Sequence, residues 1–242
     1  MKFRYVMAAI IALSTLAAQA RSARFTIIPE PVQIEVAEAD SFRIDRGMPV
    51  VVSSPELMPT AKYLADYMDK CLGIPVNVSS CEDGFGAGVR MAILGNGGIP
   101  GGYSLTVTPE KGVLIEGNDA AGVFYGMQTL IQLLPLRAGV IPLLPAVHIV
   151  DYPRFAYRGM HLDVVRHFFP VEFVKRYIDM LARHKLNYFH WHLTDDQAWR
   201  IEMKSHPELT AQGSEREGEI EGLYPGKYRA LPYGGYYTQE QA

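Results

Sequence analysis

Six residues near the middle of the chain are of the types that do chemistry: Asp163, Arg166, His190, His192, Asp195 and Asp196. His190 and His192 are two apart inside an apolar run, so on a strand they share a face. Asp195 and Asp196 follow that run within three residues. Arg166 follows the earlier apolar run Met160–Val165 in the matching position. A guanidinium offers several donors in a rigid fork, suited to vicinal hydroxyls or a carboxylate. An aspartate beside a histidine orients the ring and raises its basicity. Asp163 has two readings, a wall residue paired with Arg158 or a member of the same rim. Asp196 reads as a turn residue supporting its neighbour, and His167 as a surface residue.

The elements that must hold these residues form a β-α-β unit. Arg158–Val165 and Asn187–Leu193 read as strands. Between them Pro170 opens a helix with Phe173, Val174, Tyr177, Ile178 and Leu181 on one face. A crossover of this length gives a right-handed parallel pair. In open α/β sheets and in (β/α)₈ barrels, active sites lie at the C-terminal ends of such strands.

The segment before Asp151 has a different rhythm. Val32–Val36, Phe42–Ile44, Pro49–Val52, Pro75–Val78, Arg90–Leu94, Tyr103–Val107 and Gly112–Glu116 read as strands. Ser54 and Pro55 open a helix that Gly73 ends, and Asp119 caps a second helix over 120–134 that Pro135 stops. Gly122 and Gly126 put small residues on one face of it, allowing close approach to a sheet. The expected architecture is helices on one face of a mostly antiparallel sheet, a small α+β domain. It contains no nucleophile–base pair or phosphate loop, and Gly95-Asn96-Gly97-Gly98 reads as a turn.

Residues 1–20 read as an export signal: Lys2 and Arg4, an apolar core at 6–16, then Ala18-Gln19-Ala20 before a cleavage site. The competing reading is an uncleaved anchor. With cleavage, the protein is periplasmic or secreted and has no stable membrane span. Cys71 and Cys81 either pair or remain thiols. The net charge of −3 over 242 residues, with dispersed basic residues, argues against nucleic acid as a partner. The glutamates at 215, 217, 219 and 221 read as a solvated loop. No cofactor motif is present. One alternative uses His190 and His192 as metal ligands of a barrel hydrolase, with further ligands from later strands.

The text YRGMHLDVVRHFFP, LARHKLNYFHWHLTDDQAWRIEMKSHPELT and GGYYTQEQ resembles glycoside hydrolase family 20, the β-N-acetylhexosaminidases. The earlier GYSLTVTPEKGVLIEGNDAAGVFYGMQTLIQLL resembles the small α+β domain preceding the barrel in that family. The resemblance implies α/β plus α+β architecture: an N-terminal domain at 21–150, then the first two βα units of a (β/α)₈ TIM barrel at 151–242. It implies an oligosaccharide or glycoconjugate substrate with a terminal β-linked N-acetylhexosamine, hydrolysed with retention through the substrate's own acetamide. Arg166 matches the arginine that holds the sugar hydroxyls. Asp195 matches the aspartate that supports the general acid through a histidine, and Asp163, His192 and Asp196 stand behind these two. The family's Asp-Glu pair, written H-x-G-G-D-E, is absent from the 242 residues, so no catalytic acid and no metal ligand is assigned. The 92 residues from Asp151 compare with about 250 for a full barrel. Thr238–Gln241 reads as a capping box opening a helix. The chain is therefore expected to be an inactive, truncated portion of the enzyme. The alternative is a non-catalytic glycan-binding or structural remnant.

Overall fold

The computed structural model describes residues 26–80, 86–95, 97–222 and 226–242. The expected export signal and Cys81 lie outside them; Cys71 is an exposed thiol. The chain divides between Ala156 and Tyr157 into two compact units.

The first unit is built on a seven-stranded sheet of order β1-β7-β5-β6-β4-β2-β3. These are β1 (Gln33–Arg43), β2 (Pro49–Val52), β3 (Asn77–Ser79), β4 (Gly88–Ile93), β5 (Tyr103–Thr108), β6 (Gly112–Gly117) and β7 (Leu143–Asp151). The sheet is mixed rather than mostly antiparallel. β1, β7, β5 and β6 pair antiparallel, whereas β6, β4, β2 and β3 pair parallel. The cause lies in the connections. Pro109–Lys111 turns β5 straight back into β6, and Gly112 takes the left-handed conformation at φ 83° that closes this hairpin. β2 and β3 are instead joined through a helix, which returns the chain to the same end of the sheet.

That helix starts as a 3₁₀ turn (Pro55–Leu57), continues as α1 (Met58–Tyr67) and ends as a π turn (Met68–Leu72) closed by left-handed Gly73. Ser54 has extended backbone at the cap position, but its hydroxyl bonds Glu56 rather than a helix N–H. The second helix, α2 (Ala120–Leu133), is capped as its sequence implies. Asp119 Oδ1 accepts from Gly122 N at 2.7 Å, and Oδ2 accepts from Gly101 N at 2.9 Å. A Cβ on Gly122 would lie 2.2 Å from the Gly102 carbonyl oxygen, and one on Gly126 would lie 2.6 Å from Ile115 Cγ2. The two glycines thus allow the helix to lie against β5 and β6. Tyr63 of α1 meets Phe124 of α2 edge to face, so both helices cover the same side of the sheet.

Two strand expectations change. Val32–Val36 and Phe42–Ile44 are one strand, β1, with a register shift between Val36 and Ser41. β7 is absent from the sequence reading because Pro145 interrupts its apolar pattern. Pro145 stands opposite Ser41, beside the irregularity. Asp151 closes β7 and accepts a hydrogen bond from the buried Tyr103 hydroxyl at 3.1 Å.

In the second unit β8 (Gly159–Asp163) pairs parallel with β9 (Tyr188–His192), connected through α3 (Val171–Arg183). Leu162, Phe189 and Trp191 pack with Val164, Val174 and Tyr237. The register sets His161 opposite His190 and Asp163 opposite His192, so these polar residues share the face away from that cluster. A tight hairpin, β10 (Thr194–Asp195) with β11 (Ala198–Trp199), follows.

The glutamate-rich stretch is exposed at Glu215, Glu217 and Glu221 as expected, but most of it is paired rather than loop. After α4 (Glu208–Gly213), β12 (Glu215–Arg216) pairs with β15 (Tyr233–Gly234), and β13 (Glu219–Glu221) pairs with β14 (Lys227–Arg229). Glu219 bonds His167 at 2.9 Å and Glu221 bonds Arg229 at 2.9 Å. At the end, Gln241 N donates to Thr238 Oγ1 and Thr238 N to Gln241 Oε1, the reciprocal pattern of a capping box.

Candidate active site

The C-terminal ends of β8 and β9 bring four of the sequence-singled residues together. Arg166 Nη1 lies 2.7 Å from Asp195 Oδ2 and 3.1 Å from Asp163 Oδ2. His192 Nε2 lies 3.2 Å from Asp195 Oδ2 and 3.1 Å from the Thr194 carbonyl oxygen. Both neighbours of Nε2 are acceptors, and Nδ1 lies 3.4 Å from Arg166 Nη1 and 3.9 Å from Asp163 Oδ1. Arg166 Nη2 and Nε make no hydrogen bond among the described residues, and they remain available to an incoming ligand. The side chain is 43% exposed, enough to reach one.

Each carboxylate is itself held. Asp163 Oδ1 accepts from the backbone N–H groups of Val165 (2.9 Å) and Arg166 (3.1 Å), which folds the loop after β8 back onto the strand end. Burial pushes the Asp163 carboxyl up, but those two N–H bonds and the charges of Arg166 and His192 outweigh it. Its pKa therefore lies below the ordinary value. Asp195 is held below the ordinary range first by the Asp196 backbone N–H, at 2.8 Å from Oδ1, and then by Arg166 and His192 against some desolvation. Both remain anionic at neutral pH, fixing the guanidinium between them.

Other residues fall differently. Asp163 pairs with Arg166, not with Arg158, whose Nε donates to the Lys185 carbonyl because the β8 start faces that loop. Asp196 supports Asp195 from the hairpin turn. His190 shares the His192 face but meets His161, with Nδ1 atoms 3.1 Å apart. Among the described residues no group of three His, Cys, Asp or Glu could hold a metal ion.

His161 escaped the sequence reading, although its spacing from Asp163 is the same two-residue period. Arg216 and Tyr233 also escaped. Their side chains meet the Arg166 carbonyl from fifty and more residues away, and no local spacing signals that. A hollow of about 390 Å³ beside Arg166 is lined by His167, Gln197, Arg216 and Glu219.

Comparison with known proteins matches the same two portions of the chain. Residues 24–152 match the family described as glycosyl hydrolase family 20, domain 2, and residues 155–242 match its catalytic domain. The chain belongs to glycosyl hydrolase family 20. The family 20 chain is 42% identical over 225 residues to a beta-hexosaminidase of Porphyromonas gingivalis, covering 89% of this chain and 27% of that protein. It is 37% identical over 204 residues to a beta-N-acetylhexosaminidase of Cellulomonas fimi, covering 82% and 40%.

Solved structures agree. A Streptomyces plicatus beta-hexosaminidase mutant in complex with its product GlcNAc superposes at TM-score 0.73 with 38% identity, covering 89% of this chain and 41% of that one. The GH20 exo beta-N-acetylglucosaminidase of Vibrio harveyi, in complex with N-acetylglucosamine, gives 0.74 with 34% identity, covering 88% and 32%. The family 20 chain thus spans between about a quarter and two fifths of these relatives.

Proposed function

We propose that this chain supplies the sugar-gripping side of an exported β-N-acetylhexosaminidase. The enzyme removes terminal non-reducing β-linked N-acetylglucosamine or N-acetylgalactosamine from oligosaccharides or glycoconjugates. The observation that carries this is the Arg166 guanidinium, pinned on one nitrogen by Asp163 and Asp195 at the ends of two parallel strands, with its remaining donors unspent. Such a fork fits adjacent sugar hydroxyls. Family membership and the N-acetylglucosamine in two related structures support the substrate class.

In this reading β8-α3-β9 opens a (β/α)₈ barrel, and the Asp-Glu pair belongs to a segment outside the 242 residues. That glutamic acid protonates the glycosidic oxygen as the substrate's acetamide oxygen attacks the anomeric carbon. The bond to the leaving sugar breaks in that step, and water then attacks the anomeric carbon to open the cyclic intermediate, so the configuration is retained overall. Arg166 holds the ring in place. Asp195, with its charge kept by the Asp196 N–H and by Arg166, orients the histidine of the acid-bearing network. Residues 1–20 direct export, and neither nucleic acid nor a stable membrane span is involved.

The test compares the 242-residue chain with the product of its uninterrupted reading frame on nitrophenyl N-acetyl-β-glucosaminide. Release of nitrophenol by the longer product alone is expected. Release by the 242-residue chain would overturn the assignment of the acid. If neither hydrolyses but N-acetylglucosamine still binds, the non-catalytic glycan-binding reading replaces this one.

A further inference from the structure

Arg200 is completely buried, yet among the described residues it has no carboxylate partner. Its two terminal nitrogens donate to carbonyl oxygens from three separate segments, while the buried Nε has no partner among the described residues. Nη2 donates to Val165 O at 3.1 Å, and Nη1 donates to Gly235 O at 3.0 Å and to Ser214 O. The rings of Phe168 and Tyr233 each lie 5.7 Å from it, covering its faces. A buried charge without a contacting carboxylate is costly, and although Glu215 acts on it from further off, burial pushes this guanidinium below its ordinary pKa. What the arrangement achieves is geometric.

The carbonyl that Arg200 Nη2 holds belongs to the peptide joining Val165 to Arg166. The next carbonyl, that of Arg166, receives Arg216 Nη1 at 3.1 Å and the Tyr233 hydroxyl. Arg216 also lies over the Tyr233 ring at 5.9 Å. The two preceding N–H groups, of Val165 and Arg166, go to Asp163. Every backbone polar group from Val165 N to Arg166 O is therefore bonded to a side chain. Loops after barrel-type strands are ordinarily the mobile, adaptable part of such a site. Here the loop is immobilised on both flanks of one residue, and that residue is Arg166.

The segment that does this is shaped for it. Gly235 stands where a Cβ would lie 2.5 Å from the Phe168 ring, so only glycine lets its carbonyl reach Arg200. Tyr237 N then donates to Arg200 O at 2.8 Å, locking the returning chain to the same residue.

We propose that Arg200, Arg216 and Tyr233 are positioning residues for substrate binding: by clamping the carbonyls on either side of Arg166, these three side chains set where that guanidinium points. This rests on the proposed function for what Arg166 grips, but not for the clamp itself.

The test uses the product of the uninterrupted reading frame. Tyr233→Phe combined with Arg216→Gln is the working variant, because both side chains are only partly buried. Arg200→Lys, which keeps the charge but loses the fork, is the more severe companion. With nitrophenyl N-acetyl-β-glucosaminide, the double variant is expected to raise KM and to lower kcat/KM on the order of 10- to 100-fold, as displacements of an ångström or less do. Arg216→Lys should recover most of the loss. In an Arg166→Ala background the double variant should cost nothing further, since it acts through Arg166. The same loss in both backgrounds, or no loss at all, would overturn the proposal. A second readout needs no catalysis: nitrogen-15 resonances of the Arg166 guanidinium should shift or broaden in the double variant. If the parent protein proves inactive, the functional reading fails, and unchanged Arg166 resonances would then sink the clamp by themselves.

Discussion

Arg166 has one nitrogen committed to carboxylates and the rest of its fork open. Its loss is therefore read mainly in substrate binding. Arg166→Ala is expected to reduce kcat/KM at least about 100-fold, because two charge-assisted hydrogen bonds worth about 1.5–3 kcal/mol each are at stake. Steady-state kinetics on the aryl glycoside measure this; a loss under threefold would contradict the assignment. The carboxylates add a pH signature. Asp163 and Asp195 have folded-state pKa values below their unfolded values near about 3.9. Each therefore contributes stability that is fully present above that value and disappears as pH falls through the lower folded value. Unfolding midpoints followed from pH 7 to pH 2.5 should stay level and then drop below about pH 4. Asp163→Asn should flatten that drop; a variant that loses stability in parallel with the parent would show the carboxylate is not the source. At this scale the sequence was informative about residue types and faces. The Asp163 partner was not legible, because Arg166 becomes its neighbour only when two N–H bonds fold the loop back.

At the scale of elements, α2 sets the strictest requirement. Gly122→Ala would gain about 1 kcal/mol in helix propensity. It would also press a Cβ to 2.2 Å from the Gly102 carbonyl oxygen, a backbone atom that cannot swing away. Overpacking of this kind costs about 1–3 kcal/mol, so the steric term wins and the variant should be less stable. Chemical denaturation checks the sign, and a more stable variant would refute the close approach. Asp119→Ala should cost about 1–2 kcal/mol, since it frees the Gly122 N–H of the helix and the Gly101 N–H of the loop. Both features were readable beforehand, because caps and small-residue spacing act within four residues. β7 was not: Pro145 argues against a strand unless the irregular register opposite it is known.

The two units differ as whole bodies. The first encloses a continuous core from Ile27 to Ile149 under two helices. In the second, the cluster of fully buried apolar residues shrinks to Val164, Val174 and Tyr237 around a two-stranded parallel pair. Two strands alone are marginal, and among the described residues β8 and β9 pair only with each other. Residues 26–156 expressed alone are therefore expected to melt cooperatively, whereas 157–242 expressed alone should show no sharp transition. Circular dichroism melts of the two pieces decide this, and a cooperative melt of the second piece would contradict it.

The sequence by itself determined what depends on short range and periodicity: the β-α-β unit, the common face of His190 and His192, the helix capped by Asp119, and the placement of Arg166 and Asp195 at strand ends. Its likeness to family 20 also pointed to the family that the comparisons then showed. Tertiary structure alone decided the mixed sheet, since parallel and antiparallel pairing depends on which strand the chain returns beside. It alone turned the acidic stretch into paired ribbons. It also brought Arg200, Arg216 and Tyr233 onto the two carbonyls beside Arg166, across separations of up to 67 residues. A buried arginine that bonds backbone carbonyls leaves no sequence signature, because its partners have no side-chain identity.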